Sequence, residues 1–466
     1  MSPPPPVPPA PSGPPPTRRR VLGSAAGLAG LVALAGAGAA GTASCAAPSS
    51  VASGKTPLRY WHLFGGGDGV TMQAMLDAFE AQHSGIALDA AQLEWGAPYY
   101  TKLGMAGAGG RAPEVAVLHL ARLPGFGPGK LLDAFDLGLL AEYGVRPGDF
   151  PAEIWDRGTI GGKQYAVPLD THPLVLYYQT EICEQAGLLR ADGRIRTLEG
   201  AGEFVDALRA IRRVTGRPPL VMETTGADAA GPARVFATFY AQTGGTLLDD
   251  TGTRLTLDED KALRVLEFMR MLTHEGLAVR IADYQGSVGI FNAGETGLAL
   301  NGDWEVSTYL ETELPFSMAP VPNLFGRPAA QADSHSFVLP HQEDRGGERN
   351  RAAHRFVAWM LTHSADWARG GHIPAYTPTL GKPAYLKLEP QSEYRHVIDY
   401  VALDPPAWFA GSASLMWLEL GHIFSGVFTG SRTPESALAE ATAGLKKLLD
   451  TPSPLGEVPA PGGDQA

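Results

Sequence analysis

The stretch that decides the fold reads Gly161-Gly162-Lys163-Gln164-Tyr165-Ala166-Val167-Pro168-Leu169-Asp170-Thr171-His172-Pro173-Leu174-Val175-Leu176-Tyr177-Tyr178-Gln179. It opens on a glycine turn signal and passes into a short extended run, residues 164–167. The polar triplet Asp170-Thr171-His172 stands between Pro168 and Pro173. Proline fixes its own φ and pushes the preceding residue toward extended geometry, so residues 169–172 are predicted as an extended, non-helical crossing. Residues 174–178 follow without polar alternation, the pattern of a strand buried on both faces. A polar bridge entering a buried strand near mid-chain is where a cleft between domains would be built. An ordinary loop leading into an ordinary core strand has the same local pattern.

Working outward, the preceding segment alternates strands and helices. Residues 58–64 read as a strand, and Gly65-Gly66-Gly67-Asp68-Gly69 as a turn into a helix with Met72, Met75, Leu76 and Phe79 on one face. Strands at 86–90 and 114–119 with a helix at 99–105 complete a strand–helix–strand–helix–strand series, the signature of a mainly parallel sheet. Beyond the bridge, Phe204, Ala207, Leu208 and Ile211 mark a helix, residues 234–242 another, and Ala262, Val265, Leu266, Met269 and Leu272 a third. Residues 297–301 read as a strand running into Asn301-Gly302-Asp303-Trp304, and residues 316–321 as a second crossing. Ala353, Phe356, Val357 and Met360 mark a helix ahead of the loop 370–376. The last helix is predicted to start at Thr433 as N-cap, with Pro434 and Glu435 in its first turn. The fold class is α/β.

At 466 residues the chain exceeds one ordinary core, so two or more domains are expected. Apolar content of 44% and charged content of 18% are those of a globular protein. A formal charge of −12 argues against nucleic acid or an anionic membrane as main partner. The N-terminus reads as an export signal over residues 1–45. Thr17-Arg18-Arg19-Arg20 precedes a Gly/Ala-rich apolar run, in the manner of a twin-arginine leader, and five glycines weaken that run as a membrane span. Thr42-Ala43-Ser44-Cys45 looks like a lipoprotein processing site with Cys45 as the lipidated residue, and residues 46–56 as a tether. Removing residues 1–44 takes away three arginines and no acid, moving the charge from −12 to −15. With Cys45 lipidated, Cys183 is the one remaining free thiol, predicted as a small buried hydrophobe rather than a catalytic thiol. The Pro/Gly-rich tail, 451–466, is expected to be disordered.

Catalytic motifs are missing: no Gly-x-Ser-x-Gly elbow and no His-Glu-x-x-His occurs. The twelve histidines show no metal-ligand spacing, so most of them are expected at the surface or in structural roles, with no metal or cofactor. The Gly65–Gly69 loop lacks the Walker Lys-Ser/Thr, which leaves a phosphate cradle or a plain tight turn. What recurs is an aromatic or imidazole ring beside hydrogen-bonding groups. Trp61-His62 with Asp68, Trp95 with Tyr99-Tyr100, and Asp170-Thr171-His172 are three cases. Asn301 with Asp303-Trp304, Asp333-Ser334-His335, His372 with Tyr376, and Trp408-Phe409 with Trp417 are the others. A polyhydroxylated ligand needs this mixture, with aromatic faces over C–H surface and polar groups pairing hydroxyls.

These pieces, in this order, resemble the family 1 extracellular solute-binding proteins of bacterial carbohydrate ABC transporters, which include maltose-binding proteins. The resemblance rests on residues 58–69, Gly110-Arg111-Ala112-Pro113-Glu114-Val115, and residues 162–168 through Tyr177-Tyr178-Gln179. It continues through Ala241-Gln242-Thr243-Gly244-Gly245 and residues 297–304 to residues 371–376. Three positions depart from the family pattern: Gln179 for Asn, Asp303 for the proline of Asn-Gly-Pro-Trp, and Glu114 for Asp.

The resemblance implies two lobes, 57–169 with 323–385 and 170–322 with 386–450, closing on ligand by a hinge. Crossings are expected at 169–171, 319–323 and 385–390. It implies a monomeric binding protein, not an enzyme, held outside the membrane through Cys45 and passing a mono- or oligosaccharide to ABC permease subunits. Asp170 and His172 are expected to pair hydroxyls and Trp304 to stack, supported by His62, Asp68, Asp303, His335 and His372, with Trp417 as a second stacking residue. Two alternatives stay open at this point. One is a phosphorylated or amine-bearing solute in the same fold. The other is a secreted glycoside hydrolase using Asp170 and Asp303.

Overall fold

The computed structural model describes residues 54–127, 130–227, 229–454 and 456. The export signal, Cys45 and residues 457–466 of the tail lie outside the described residues. Among the described residues, no helix is long and apolar enough to cross a membrane.

The strand series read from the N-terminal segment builds one sheet. Thr56–His62 pairs in parallel with Ile86–Gln92 on one side and Val115–His119 on the other. The connections are the helices Gly66–Gln82 and Ala97–Ala108. Helix Gly66–Gln82 starts earlier than the expected turn allowed, which puts Asp68 in its first turn beside the positive helix end. Gly67 is needed there because a Cβ would sit 2.5 Å from Ser307 Cβ. His335–Pro340 completes the sheet antiparallel to Val115–His119, and carries Ala166–Pro168 on its other side.

The second sheet is organised on Asp170–Gln179, ten residues that are all buried. The expected crossing and the expected strand are therefore one continuous strand. Its apolar half pairs antiparallel with Leu298–Gly302 on one edge and Phe316–Pro320 on the other. Its polar half is held by Ala330–Asp333, opposite Pro173 and His172, and by Ile373–Pro374, opposite Thr171 and Asp170. Successive side chains alternate faces. Val175 and Tyr177 enter one hydrophobic core with Phe291 and Tyr309, whereas Leu174, Leu176 and Tyr178 enter another with Phe204 and Phe236. Burial on both faces explains the absence of polar alternation.

The chain changes sheets at Leu169, between Ala166–Pro168 and Asp170–Gln179, again at Ser334, between Ala330–Asp333 and His335–Pro340, and a third time between His335–Pro340 and Ile373–Pro374. The second change differs from the sequence reading, which placed a crossing at 319–323. Phe316–Pro320 instead stays in the second sheet, because its backbone completes an edge of the buried strand. The first two of these points are stitched together by the Leu169 N–H donating to the His335 carbonyl at 2.7 Å. Cys183 lies buried in the helix Thr180–Gln185, as expected, and burial pushes its thiol up to about 12. The last helix, Pro434–Leu449, has Thr433 accepting from the Ser436 N–H.

Candidate functional site

A cavity of about 250 Å³ opens where the strands of both sheets end. That is the place where open α/β sheets receive ligands. The first sheet supplies Phe64, Gly65 and Asp68 after Thr56–His62, His119 at the end of its strand, and His335 at the start of another. The second sheet supplies His172 and Trp304, with Glu223, Arg234 and Tyr284 from neighbouring segments. Trp95 lines the cavity as well. A larger groove of about 1060 Å³ shares Trp95 and Ala230 with the cavity and continues along Tyr100, Phe126, Trp408 and Trp417.

Asp170 is the hub behind the cavity wall. Residues 170 and 172 project from the same face of their strand. Asp170 Oδ1 accepts from the His335 backbone N–H at 2.9 Å and lies 3.0 Å from His172 Nδ1. Its Oδ2 accepts from Trp367 Nε1 at 2.7 Å and lies 2.8 Å from His335 Nδ1. Burial raises the Asp170 carboxyl, but His335 and His372 nearby and the imidazole hydrogen bonds outweigh it and hold the group well below the usual carboxylate range. His172 behaves oppositely: burial, with His335 beside it, pushes it down to about 3. A neutral His172 donating through Nδ1 to an anionic Asp170 keeps Nε2 as an acceptor at the cavity wall. The His172 and His335 rings stack with centroids 4.1 Å apart, and His119 meets His335 at 4.7 Å.

His372 occupies a denser electrostatic position. Its Nε2 lies 3.1 Å from Asp68 Oδ1, and its Nδ1 lies 3.7 Å from Asp303 Oδ1 and 4.0 Å from Asp170 Oδ2. Burial alone would lower it, yet Asp68, Asp170 and Asp303 together hold it at about 10. Asp303, fully buried, is pushed well above the usual carboxylate range by burial, against the pull of His372.

The structure therefore gathers most of the predicted residues but sorts them. Asp68, His172, Trp304 and His335 line the cavity, while Asp170, Asp303 and His372 stand behind its wall, wholly buried. His62 stacks between Tyr60 and Phe64 away from the cavity lining, and burial lowers it to about 4. Trp417 lines the neighbouring groove, its Nε1 donating to Asp404 Oδ2 at 2.7 Å. The Arg234 guanidinium sits over both Trp304 and Trp417, at 4.5 and 4.8 Å from the ring centroids. Sequence reasoning missed Arg234, which sits on a helix, and His119, the last residue of an apolar strand. The spacing of the histidines along the chain did not reveal that three of them meet around Asp170. Asp170, His172, His335 and His372 bring one possible metal-ligand atom each within 4.8 Å of one another. The carboxylates named for a hydrolase, Asp170 and Asp303, do not reach the cavity.

Comparison with known proteins gives the family. The model of bacterial extracellular solute-binding proteins matches residues 66–367, well over half of the chain. The chain belongs to that family. This solute-binding protein is 25% identical to the lactose-binding protein of Rhizobium radiobacter over 179 residues, 38% of either chain. The match thus spans well under half the length of that relative. Its fold superposes on the GacH receptor of Streptomyces glaucescens, solved unliganded and with acarbose, with a TM-score of 0.72 at 19% identity, covering 85% of this chain and 98% of that one. It also superposes on UgpB of Mycobacterium tuberculosis in complex with glycerophosphocholine, with a TM-score of 0.71 at 20% identity, covering 85% and 99%. These likenesses establish the two-lobed binding-protein fold.

Two of the three departures from the family pattern are structural in this solute-binding protein. Gln179 donates to the Thr296 carbonyl at 2.6 Å, and Glu114 accepts from the Arg59 backbone and side chain. The third, Asp303, falls at the site.

Proposed function

We propose that this protein captures a carbohydrate in the cavity at the strand ends and delivers it to the membrane subunits of an ABC importer. The observation that carries the reading is the lining itself. Trp95 and Trp304 stand in the lining beside His172, His335, Asp68 and Glu223, the mixture of aromatic and hydrogen-bonding groups a sugar ring requires. Family membership and the lactose-binding relative support it. The cavity lies just under the ~300 Å³ lower bound usual for drug-sized ligands. It therefore suits one ring, with further rings extending along the aromatic groove. Lobes on the two sheets, hinged at Leu169 and Ser334, would close over the ligand, and the closed state need only be favoured by the ligand's differential affinity. Export by the N-terminal signal and anchoring through Cys45 belong to the same reading, supported by the order of arginines, apolar run and Cys45.

A thermal-shift screen of the chain from residue 46 tests it against mono-, di- and trisaccharides, glycerol phosphates and polyamines. A ligand at 100 times its Kd stabilises by about 2.7 kcal/mol, which is readily seen. Stabilisation by one group of sugars supports the reading. Stabilisation only by phosphates or amines replaces the substrate class. Turnover of chromogenic glycosides, lost in Asp303→Asn, would replace binding by hydrolysis.

A further inference from the structure

The gathering of Asp170, His172, His335 and His372 is denser than sugar binding requires. The Nδ1 atoms of His172, His335 and His372 converge on one carboxylate, 3.0, 2.8 and 4.0 Å from the oxygens of Asp170. A tetrahedral zinc-type ion with metal–ligand distances of about 2.0–2.1 Å spaces its ligands by roughly 3.3 Å. One ligand atom from each of the four residues lies within 4.8 Å of the others, so modest side-chain shifts would bring them onto one ion. All four residues are buried, and His372 and Asp170 are wholly so. His372 Nδ1 has no hydrogen-bond partner, and neither oxygen of Asp303 beside it has one. Buried polar atoms left so are costly, and a cation among them would satisfy them.

The surroundings hold the ligands in place, as partners around metal ligands do. Trp367 donates to Asp170 Oδ2 at 2.7 Å and stacks on His372 at 4.7 Å and 12°. The His335 backbone N–H fixes Oδ1. Three imidazoles with one carboxylate select a zinc-type ion over magnesium or calcium.

We infer that Asp170, His172, His335 and His372 bind one zinc-type divalent ion behind the cavity wall. Loading exchanges the two Nδ1–H hydrogen bonds to Asp170 for metal bonds, the ring protons of His172 and His335 moving to Nε2, while His372 releases its Nδ1 proton to solvent and keeps its Nε2–H toward Asp68. The ion ties together segments separated by 200 positions, from His172 to His372, and fixes the rings of His172 and His335 in the cavity wall.

The test uses the tag-free full chain, incubated with Zn²⁺ or Co²⁺, desalted and assayed for metal without any sugar. About one equivalent per chain is expected, with the visible absorption of four-coordinate cobalt. His335→Ala and His372→Ala should each retain less than a tenth of that, while His422→Ala, an exposed histidine, retains it all. Should the cluster variants fail to fold, X-ray absorption of the zinc form of the wild type reads the ligands directly, with three imidazoles expected. A wild type that retains no metal overturns the inference. So does full retention by the folded variants, or a zinc spectrum with fewer than two imidazoles.

Discussion

His335 Nδ1 lies 2.8 Å from Asp170 Oδ2, although the two residues are 165 positions apart. Each Asp170 oxygen meets two nitrogens, so the carboxylate pins the start of the long strand to the start of a strand in the other sheet. Asp170→Asn would turn one of these oxygens into a donor facing two nitrogens. The variant is expected to lose about 3–5 kcal/mol, the usual cost of breaking a buried hydrogen-bonded charge. Urea unfolding of the folded variant measures it. A loss under about 1 kcal/mol would mean the network is not holding the sheets together.

Much of this was legible locally and the rest was not, for a physical reason. Pro168 and Pro173 mark the polar triplet because proline acts on its immediate neighbours, and the apolar run after it marks a doubly buried strand. The three parallel strands Thr56–His62, Ile86–Gln92 and Val115–His119 follow from periodicity, whereas the pairing of His335–Pro340 with them does not. By contrast, the partnership of His172 with His335 and His372 is made by sheet pairing between distant segments, which no local spacing encodes. The change of sheet at Ser334 was hidden for the same reason, since Phe316–Pro320 has the composition of a crossing and the pairing of an edge strand. Trp304 was named from residue type, whereas the Arg234 that covers its ring arrives from a separate helix.

Trp304 lines the cavity and is also held by protein contacts. Its Nε1 donates to the Tyr284 hydroxyl at 2.7 Å, and its ring lies edge-on to His172 at 5.7 Å and beneath Arg234 at 4.5 Å. Trp304→Ala should weaken sugar binding at least tenfold, about 1.4 kcal/mol, and also lower the apo melting temperature because Arg234 loses a ring face. Trp304→Phe keeps that face and should recover most of the stability. Titration calorimetry with the sugar found by screening reads the affinity. An unchanged Kd in Trp304→Ala removes this ring from the site.

Asp404 carries a pH dependence whose sign follows from its surroundings. Burial, and then Asp333 nearby, push its carboxyl up to about 7 despite the hydrogen bond from Trp417. The folded value stands above the 3.8 of the unfolded chain. The protonated form therefore stabilises in full below about pH 4, and this is lost as pH rises through about 7. Asp404→Asn keeps an acceptor for Trp417 and removes the titration. Relative to wild type, the variant should gain up to about 4 kcal/mol between pH 4 and pH 8. Urea unfolding at several pH values measures the difference, and a flat difference would show that Asp404 does not titrate in this range.

Gly371 sets the position of His372 by what it lacks. Its φ of +107° lies in the region that side chains avoid, and a Cβ there would stand 1.9 Å from the Asp303 carbonyl oxygen. Tyr394 donates to the Gly371 carbonyl and holds the loop in this place. Gly371→Ala must therefore push the Asp303 backbone away, and His372 with it, so that the contacts to Asp68 and Asp303 lengthen together. Strain at positive φ and overpacking together are expected to cost about 2–5 kcal/mol. Ligand affinity should fall as well, because Trp304 follows Asp303 directly in the chain. Gly381, where an added Cβ would meet nothing within 4 Å, provides the control, and Gly381→Ala should melt within a degree or so of wild type. If both variants melt alike and bind alike, the close approach of Gly371 to Asp303 does not position the site.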